Sequence, residues 1–492
     1  MEVRESAAPD DALPWERRLY YGGAWHDAKS GRMLPVINPG NGASLGAVHE
    51  AGKDDVASAV AAAKAAWQGW RKMPALERAE LLKTCAAIIR RHADELSYID
   101  ALDGGAPIRE MARDVETAAS QLDYFAGLVL EMKGYTVPLD RQRLHFTQRE
   151  PMGVVVRIGA FNHPFMFTAA KIAAPLAAGN TVIVKPAEQA PLSALRLAEL
   201  LDTFLPPGVL NILNGGAECG AALCNHPDVA KIALIGSVAT GKAILRAAAE
   251  TIKPVGLELG GKNALIAFPD ADPEKVAAAA VKGMNFTWCG QSCGSTSRAF
   301  LHESIHDRVL DLIAEKVSAI KPGLPTDPQA GMGAIISAAQ RDKVERYVGY
   351  GLEDGARLVA GGKRPDDPAL ANGFFFLPTV FADVTPQMRI AREEIFGPVL
   401  SVFRWSDRAE MIGHVNDLPF GLTCAIFTND LATAHETAAD VQAGYVWINE
   451  AGPHYLGMPF GGWKQSGMGE EESFGELMAY TRSKAINVKL RP

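Results

Sequence analysis

Cys293 sits in the stretch WCGQSCGSTSR, between Gly290 and Gly294. Flanking glycines let the backbone approach a bound molecule closely and can aim an N–H at a developing oxyanion, so a thiol held there could act as a nucleophile. A buried, inert cysteine is the plain alternative. Cys289, four residues earlier, would allow a metal or redox pairing, but no Cys or His cluster at metal spacing accompanies it. Glu258, in VGLELGGKN, is a carboxylate inside an apolar run that ends in paired glycines. Burial would raise its pKa toward the range of a general base; a strand-end salt bridge would explain it as well. Asn162, in FNHPF, follows the apolar run GVVVRIG, where its amide could complete an oxyanion hole or simply turn the chain. Lys171 is the only charge in FTAAKIAAPLAAG, and so either snorkels to the surface or serves a site.

A second set of residues could hold phosphate and ribose. GSVATGKA, residues 236–243, follows the run KIALI and opens an Ala-rich segment. Strand, glycine turn and helix make an anion site at a helix N-terminus. The same stretch lies one residue from G-x-x-x-x-G-K-[ST], but Ala243 replaces the hydroxyl that would hold Mg²⁺. Lys185 and Glu188, in VIVKPAEQ, follow a strand, and the crevice beyond such strand ends is where open α/β sheets bind nucleotides. They could grip ribose hydroxyls, although two surface charges would look the same. The stretch NGGAECG, which ends at Gly220, is not the common dinucleotide fingerprint.

The elements that must position these residues read as α/β. From Met152, β-branched runs alternate with Ala-rich helical runs: GVVVRIG, FTAAKIAAPLAAG, TVIVK, LSALRLAELLDTF, VLNIL, KIALIGS. That alternation predicts a parallel sheet with crossover helices. A second set runs from NALIAF through SRAFL, PTVF, GPVLSVFRW, CAIFT and GYVWINE. Amphipathic spacing predicts packing helices over 54–70 and 76–98. The polar alternation at 142–150 predicts a solvent-side strand, and INVKL at the end of the chain an added one.

With 492 residues the chain has room for two or three domains and a large core. Hydrophobic residues make up 48% and charged residues 22%, the balance of an ordinary globular protein. A net charge of -8 argues against nucleic-acid and membrane-surface binding. Six cysteines are too few for a disulfide scaffold and suit a reducing compartment. The start of the chain has no apolar core like a signal peptide's, and no apolar run is long enough to span a bilayer, so the expected location is cytoplasmic.

Taken in order, FNHPF, AAPLAAGNTVIVKPAEQAPLSA, ALIGSVATG, LELGGKN, GQSCGS, EEIFGPVLSV, GYVWIN and PFGGWKQSGMG resemble the successive motifs of the aldehyde dehydrogenase superfamily, from about residue 20 onward. The resemblance implies an α/β, aldehyde-dehydrogenase-like fold. Its parts would be a Rossmann-like NAD-binding domain at 1–127 and 149–258, an α/β catalytic domain at 259–471, and a small β oligomerisation arm at 128–148 and 472–492. Cys293 would be the nucleophile, Asn162 the oxyanion donor, Glu258 the base that activates the hydrolytic water, and Lys171 a proton-relay partner. Lys185 and Glu188 would hold the adenosine ribose, Gly236 and Ser237 the pyrophosphate, and Glu394 with Phe396 the nicotinamide ribose, with Gly220 also at the cofactor. On this view GSVATGKA is a phosphate turn for NAD, and its likeness to a nucleoside-triphosphatase loop is coincidence.

The activity implied is NAD⁺-dependent oxidation of a small-molecule aldehyde to its acid, through a cysteine thiohemiacetal and thioester, in a homodimer or homotetramer. Acyl transfer to coenzyme A is the alternative on the same fold. A P-loop phosphotransferase and a catalytically silent scaffold stand further off.

Several residues depart from the family's pattern. Ala160–Phe161 and His163 replace the commoner Pro-Trp-Asn-Phe-Pro surroundings of the Asn, and Glu470 stands where many members have Arg. The spacing from Glu258 to Cys293 is one residue longer than usual, with the extra residue in FTWC. Trp288 and His454 fall near positions that shape the substrate channel. With His163, Phe165, Phe167 and Phe460 they suggest a wide aromatic tunnel for an aromatic or bulky apolar aldehyde.

Overall fold

In the computed structural model, which describes residues 13–490, two sheets carry the fold. The first has eight strands. Its parallel centre runs Leu210–Ile212, Thr181–Lys185, Val154–Ile158, Val229–Ile235 and Val255–Glu258. Antiparallel additions close both edges: Leu19–Tyr21 with Ala24–His26 on one side, Gly467–Met468 on the other. The central strands are short, β-branched and buried on both faces, as in Thr181–Lys185, because helices cover the sheet above and below. The second sheet has seven strands, of which Thr379–Ala382, Val399–Trp405, Arg298–His302, Ala264–Ala267, Thr423–Phe427 and Tyr445–Ile448 are parallel. Arg357–Ala360 is added antiparallel at one edge.

Away from both sheets, Arg143–Pro151 pairs antiparallel with Thr481–Lys489 in unbroken register, from Thr481 opposite Pro151 to Lys489 opposite Arg143. This ribbon is largely solvent-exposed. No helix of the described residues is long and apolar enough to cross a membrane.

Two helical expectations are corrected. The helix predicted over 76–98 is two, Ala75–Arg91 and Ala93–Gly104, because His92 leaves the helical region. Arg90 and Arg91 end the first helix, and Asp94 and Glu95 open the second, so each macrodipole end meets the charge it favours. The run FTAAKIAAPLAAG is likewise not one helix but Pro164–Ala169, a tightened 3₁₀ turn at Ala170–Ile172, and Ala173–Ala177. Pro175 has no N–H to give the ladder, and Lys171 sits in the tightened turn.

Candidate active site

Between the two sheets lies a cavity of about 1180 Å³ that Cys293, Glu258, Lys171, His163, Phe167, Trp288, His454 and Phe460 all line. Glu258 reaches it as the last residue of its strand, and its carbonyl accepts from the Gly236 N–H at 3.0 Å. Cys293 reaches it from a loop fixed by Asn263, whose amide donates to the Cys293 carbonyl at 2.7 Å and the Ser295 carbonyl at 3.0 Å. Asn162 is buried just ahead of the helix Pro164–Ala169, is not among the cavity's lining residues, and makes no side-chain hydrogen bond with the described residues.

Electrostatics divides the acids of this cavity. One Glu258 oxygen is enclosed without a hydrogen-bond partner. Burial, with the nearby Glu471 charge adding to it, holds the carboxyl well above its ordinary range despite Lys171. Burial also pushes the Cys293 thiol up to about 12, helped by the charges of Glu258 and Glu394. Glu471 is buried too, but Arg157 at 2.8 Å and Lys171 at 3.0 Å outweigh burial and hold it at about 2. Lys171 lies 3.7 Å from Glu472, which His454 meets at 3.1 Å. Glu476 accepts from the Glu472 N–H at 2.7 Å and closes the cluster.

The loop ahead of Cys293 is an anchored clip. Asn285 and Cys289 both adopt positive φ, 54° and 56°, on either side of the 3₁₀ turn Phe286–Trp288. The Gly290 N–H donates back to the Asn285 carbonyl at 2.9 Å. The Cys289 sulfur donates to the Gly333 carbonyl at 3.1 Å, and a Cβ at Gly290 would overlap the Gly397 carbonyl. Cys289 is thus a core thiol turned away from Cys293's cavity. The described residues contain no group of three or more His, Cys, Asp or Glu set to hold a metal ion, and all six cysteines are free.

Lys185, Glu188 and Ser237 stand at or just beyond the ends of the first sheet's parallel strands. Lys185 is buried there, with its stem within 3.7 Å of where a Cβ on Gly220 would stand. Burial lowers its pKa. A Cβ on Gly216 would come within 3.0 Å of the Glu188 carboxylate, so glycine keeps this wall open beside an exposed acceptor. Ser237 caps the helix Val238–Ala249 by accepting from the Thr240 N–H at 3.1 Å. Lys242, the lysine of the nucleoside-triphosphatase-like pattern, donates to Gln465 at 2.9 Å, on the outside of its helix. On the second sheet's side Glu394 accepts from the Gly261 N–H at 3.1 Å, and any side chain at Gly260 would overlap its carboxylate. Phe396, at φ 56°, packs edge-on to Phe161 with ring centroids 5.6 Å apart. Glycine-lined walls, an exposed carboxylate acceptor, a helix N-terminus behind a glycine turn and a second carboxylate near the thiol suit a dinucleotide.

One channel expectation is corrected: Phe165 is fully buried in the first sheet's core, with its N–H bonded to Asp100 at 2.9 Å, and does not line the cavity. Arg157, Glu472, Glu476 and Asp114 were not singled out by sequence reasoning. Arg157 is the lone charge in the strand VVVRI, the same signal that marks Lys171 and Glu258. Asp114 gives no comparable signal, because its helix carries five other charges, Arg109, Glu110, Arg113, Glu116 and Asp123.

In class, this is a two-sheet α/β protein whose cavity gathers a thiol and several buried acids. A family model described as the aldehyde dehydrogenase family matches residues 25–486. The chain is 52% identical over 488 residues, 98% of its length and 95% of the relative's, to aldehyde dehydrogenase tropH of Talaromyces stipitatus. Among solved structures it resembles the NAD⁺ complex of an aldehyde dehydrogenase from Bacillus cereus, with 36% identity, 99% of each chain covered and a TM-score of 0.95. PnpE from Pseudomonas sp. WBC-3, solved with nicotinamide adenine dinucleotide, is 40% identical over 97% of this chain and 98% of its own, with a TM-score of 0.95. The chain belongs to the aldehyde dehydrogenase family.

Proposed function

We propose that this enzyme oxidises an aldehyde to the carboxylic acid with NAD⁺ and water, using Cys293 as the nucleophile. The observation that carries the reading is the shared cavity of the Cys293 thiol and the partnerless Glu258 oxygen. The sulfur adds to the carbonyl carbon as the thiol proton passes to water, and the resemblance makes the Asn162 amide, which has no other hydrogen bond although it stands outside the cavity lining, the donor to the oxyanion that forms. Bound NAD⁺ would supply the hydride acceptor for that carbon. Glu258, whose burial holds its carboxyl well above the ordinary carboxylate range, takes a proton from water, which opens the thioester on Cys293 and releases the acid. Lys171 and the acids around it offer the proton a way out.

Lys185, Glu188, Gly220, Gly236, Ser237, Glu394 and Phe396 would hold the dinucleotide. Water is a better acceptor than coenzyme A here, because a thiol acceptor needs no base like Glu258. The volume of the cavity and the rings of Phe167, Trp288 and Phe460 favour bulky aldehydes over acetaldehyde. The ribbon of Arg143–Pro151 with Thr481–Lys489 is the natural element for pairing subunits into a homodimer or homotetramer. Free cysteines throughout suit a cytoplasmic enzyme.

The test is Cys293→Ala, assayed by NADH absorbance: aldehyde oxidation falls to background while NAD⁺ binding stays within a few fold. Substantial oxidation by that variant would end the assignment.

A further inference from the structure

Two buried side chains, Arg157 and Tyr480, stand behind the cavity without lining it. Arg157, in the strand Val154–Ile158, donates through Nη1 to the Tyr480 hydroxyl at 2.6 Å and through Nη2 to Glu471 Oε1 at 2.8 Å. The other Glu471 oxygen, Oε2, meets the Lys171 ammonium at 3.0 Å, and Glu471 and Lys171 do line the cavity. Lys171 pairs with Glu471 and Glu472 and makes no ion pair with Glu258. We infer that Tyr480 and Arg157 are positioning residues for deacylation: by dividing the guanidinium between two acceptors they leave one Glu471 oxygen to Lys171, and so keep Lys171 off Glu258.

The inference rests on the dehydrogenase reading and deepens its hydrolytic step. A guanidinium presents parallel donors that match a carboxylate two for two when nothing competes for them. Here the Tyr480 hydroxyl takes one donor, so Arg157 holds Glu471 through Oε1 alone. Lys171 is almost wholly removed from water, so its charge must be answered by carboxylates within reach. Were both Glu471 oxygens drawn to Arg157, the acid left for Lys171 to approach would be Glu258, one oxygen of which meets no donor. A cation there would favour the carboxylate and weaken it as a base. The other titratable groups that act on Glu258 are Glu471, Glu472 and Glu476, and the Cys293 thiol feels its charge.

Tyr480 is itself firmly seated. The Lys231 ammonium lies 4.5 Å above its ring, and its carbonyl accepts from the Asn180 amide at 2.9 Å. The Asn180 side-chain oxygen accepts from the N–H groups of Met152 and Gly153, which follow the strand Arg143–Pro151. The hydroxyl that divides the guanidinium is therefore fixed at the root of the exposed ribbon, where Thr481 pairs with Pro151.

The experiment follows the thioester on Cys293 itself. Enzyme, NAD⁺ and hexanal or benzaldehyde are mixed, quenched in acid, and the acyl-enzyme is measured by mass spectrometry over a range of pH. The acyl group disappears with a first-order constant, so any loss of folded protein cancels. Tyr480→Phe keeps the ring and removes the acceptor. Its deacylation constant should fall roughly 3- to 10-fold at the plateau, and the acid limb of its profile should move to lower pH, because a Glu258 closer to Lys171 gives up its proton more readily. Glu471→Gln, which releases Lys171 outright, should move the limb in the same direction and farther. Lys484→Ala removes the exposed pair with Glu150 beyond the ribbon's root and should leave the profile unchanged. A Tyr480→Phe profile that coincides with the unmodified one, a limb that moves to higher pH in either cavity variant, or the same shift in Lys484→Ala would overturn this proposal and leave the dehydrogenase reading intact. No thioester on Cys293 of the unmodified enzyme with either aldehyde, while NAD⁺ still binds, would overturn that reading and this one with it.

Discussion

Glu258 and Glu471 line one cavity and are both buried, yet their surroundings drive them in opposite directions. Glu258 ends a strand with one oxygen facing no donor, so burial dominates and the proton is held tightly. Glu471 lies between Arg157 and Lys171 and gives up its proton at about 2. Two like side chains thus hold unlike charge states: one keeps its proton, as the base proposed for deacylation must be able to, while the other stays an anion and fixes its neighbours. The difference teaches that burial alone does not make a base. A buried carboxyl is held above its ordinary range only where cations are kept from its own oxygens.

The contrast can be broken first at Glu258. Glu258→Gln keeps shape and loses the base, so steady-state turnover should fall roughly 10²- to 10⁴-fold. Acylation should survive it, giving a burst of NADH followed by slow release in stopped-flow measurements. Unchanged steady-state turnover would remove Glu258 from the deacylation step.

Breaking the other side should register as stability. Glu471→Gln strands Arg157 and Lys171 in the interior with less compensation, and the loss should be about 3–5 kcal/mol in denaturant titrations. The sign of the pH dependence follows from the lowered pKa. The folded state prefers Glu471 charged, so its contribution is present above the ordinary value of 4.5 and is lost as pH falls from there toward 2. The unmodified enzyme should therefore lose stability over that window more steeply than Glu471→Gln does. Equal slopes would mean that the triad holds no charge.

A third carboxylate, Glu188, sharpens the comparison because it is exposed. If it accepts from the adenosine ribose hydroxyls, a 2′-phosphate would meet like charge there. Partial relief by water and Lys185 leaves about 1–3 kcal/mol, roughly 5- to 150-fold in kcat/KM favouring NAD⁺ over NADP⁺. Glu188→Ser should narrow the preference mainly by improving NADP⁺ use. Equal kcat/KM for the two cofactors in the unmodified enzyme would show that Glu188 points elsewhere.

Much of this was legible in the residues themselves. Both parallel sheets could be read from alternating β-branched and Ala-rich runs, since a strand buried on both faces has no other composition open to it. Cys293, Glu258 and Lys171 stood out because each is chemically out of place in its stretch, and they meet in one cavity. The break at His92 was missed because the apolar spacing continues straight through it, although the basic end of the first helix and the acidic start of the second mark it in the sequence. Phe165 was grouped with Phe167 and Phe460 in an aromatic tunnel, but in the short helix Pro164–Ala169 the rings of Phe165 and Phe167 point to opposite sides, and Phe165 faces the core. The pairing of Asp114 with His163 joins residues 49 apart in sequence, which no local pattern encodes.

The anchored clip at 285–290 divides its work between its ends and its middle. Its ends are held by the Gly290-to-Asn285 hydrogen bond, the Cys289 sulfur and the tight seat of Gly290, while Phe286, Thr287 and Trp288 form the part that projects into the cavity. Anchored at both ends, the turn can change shape without moving the chain that leads to Cys293, so that, if it lines the substrate path as proposed, reactivity and substrate choice are separable within one loop.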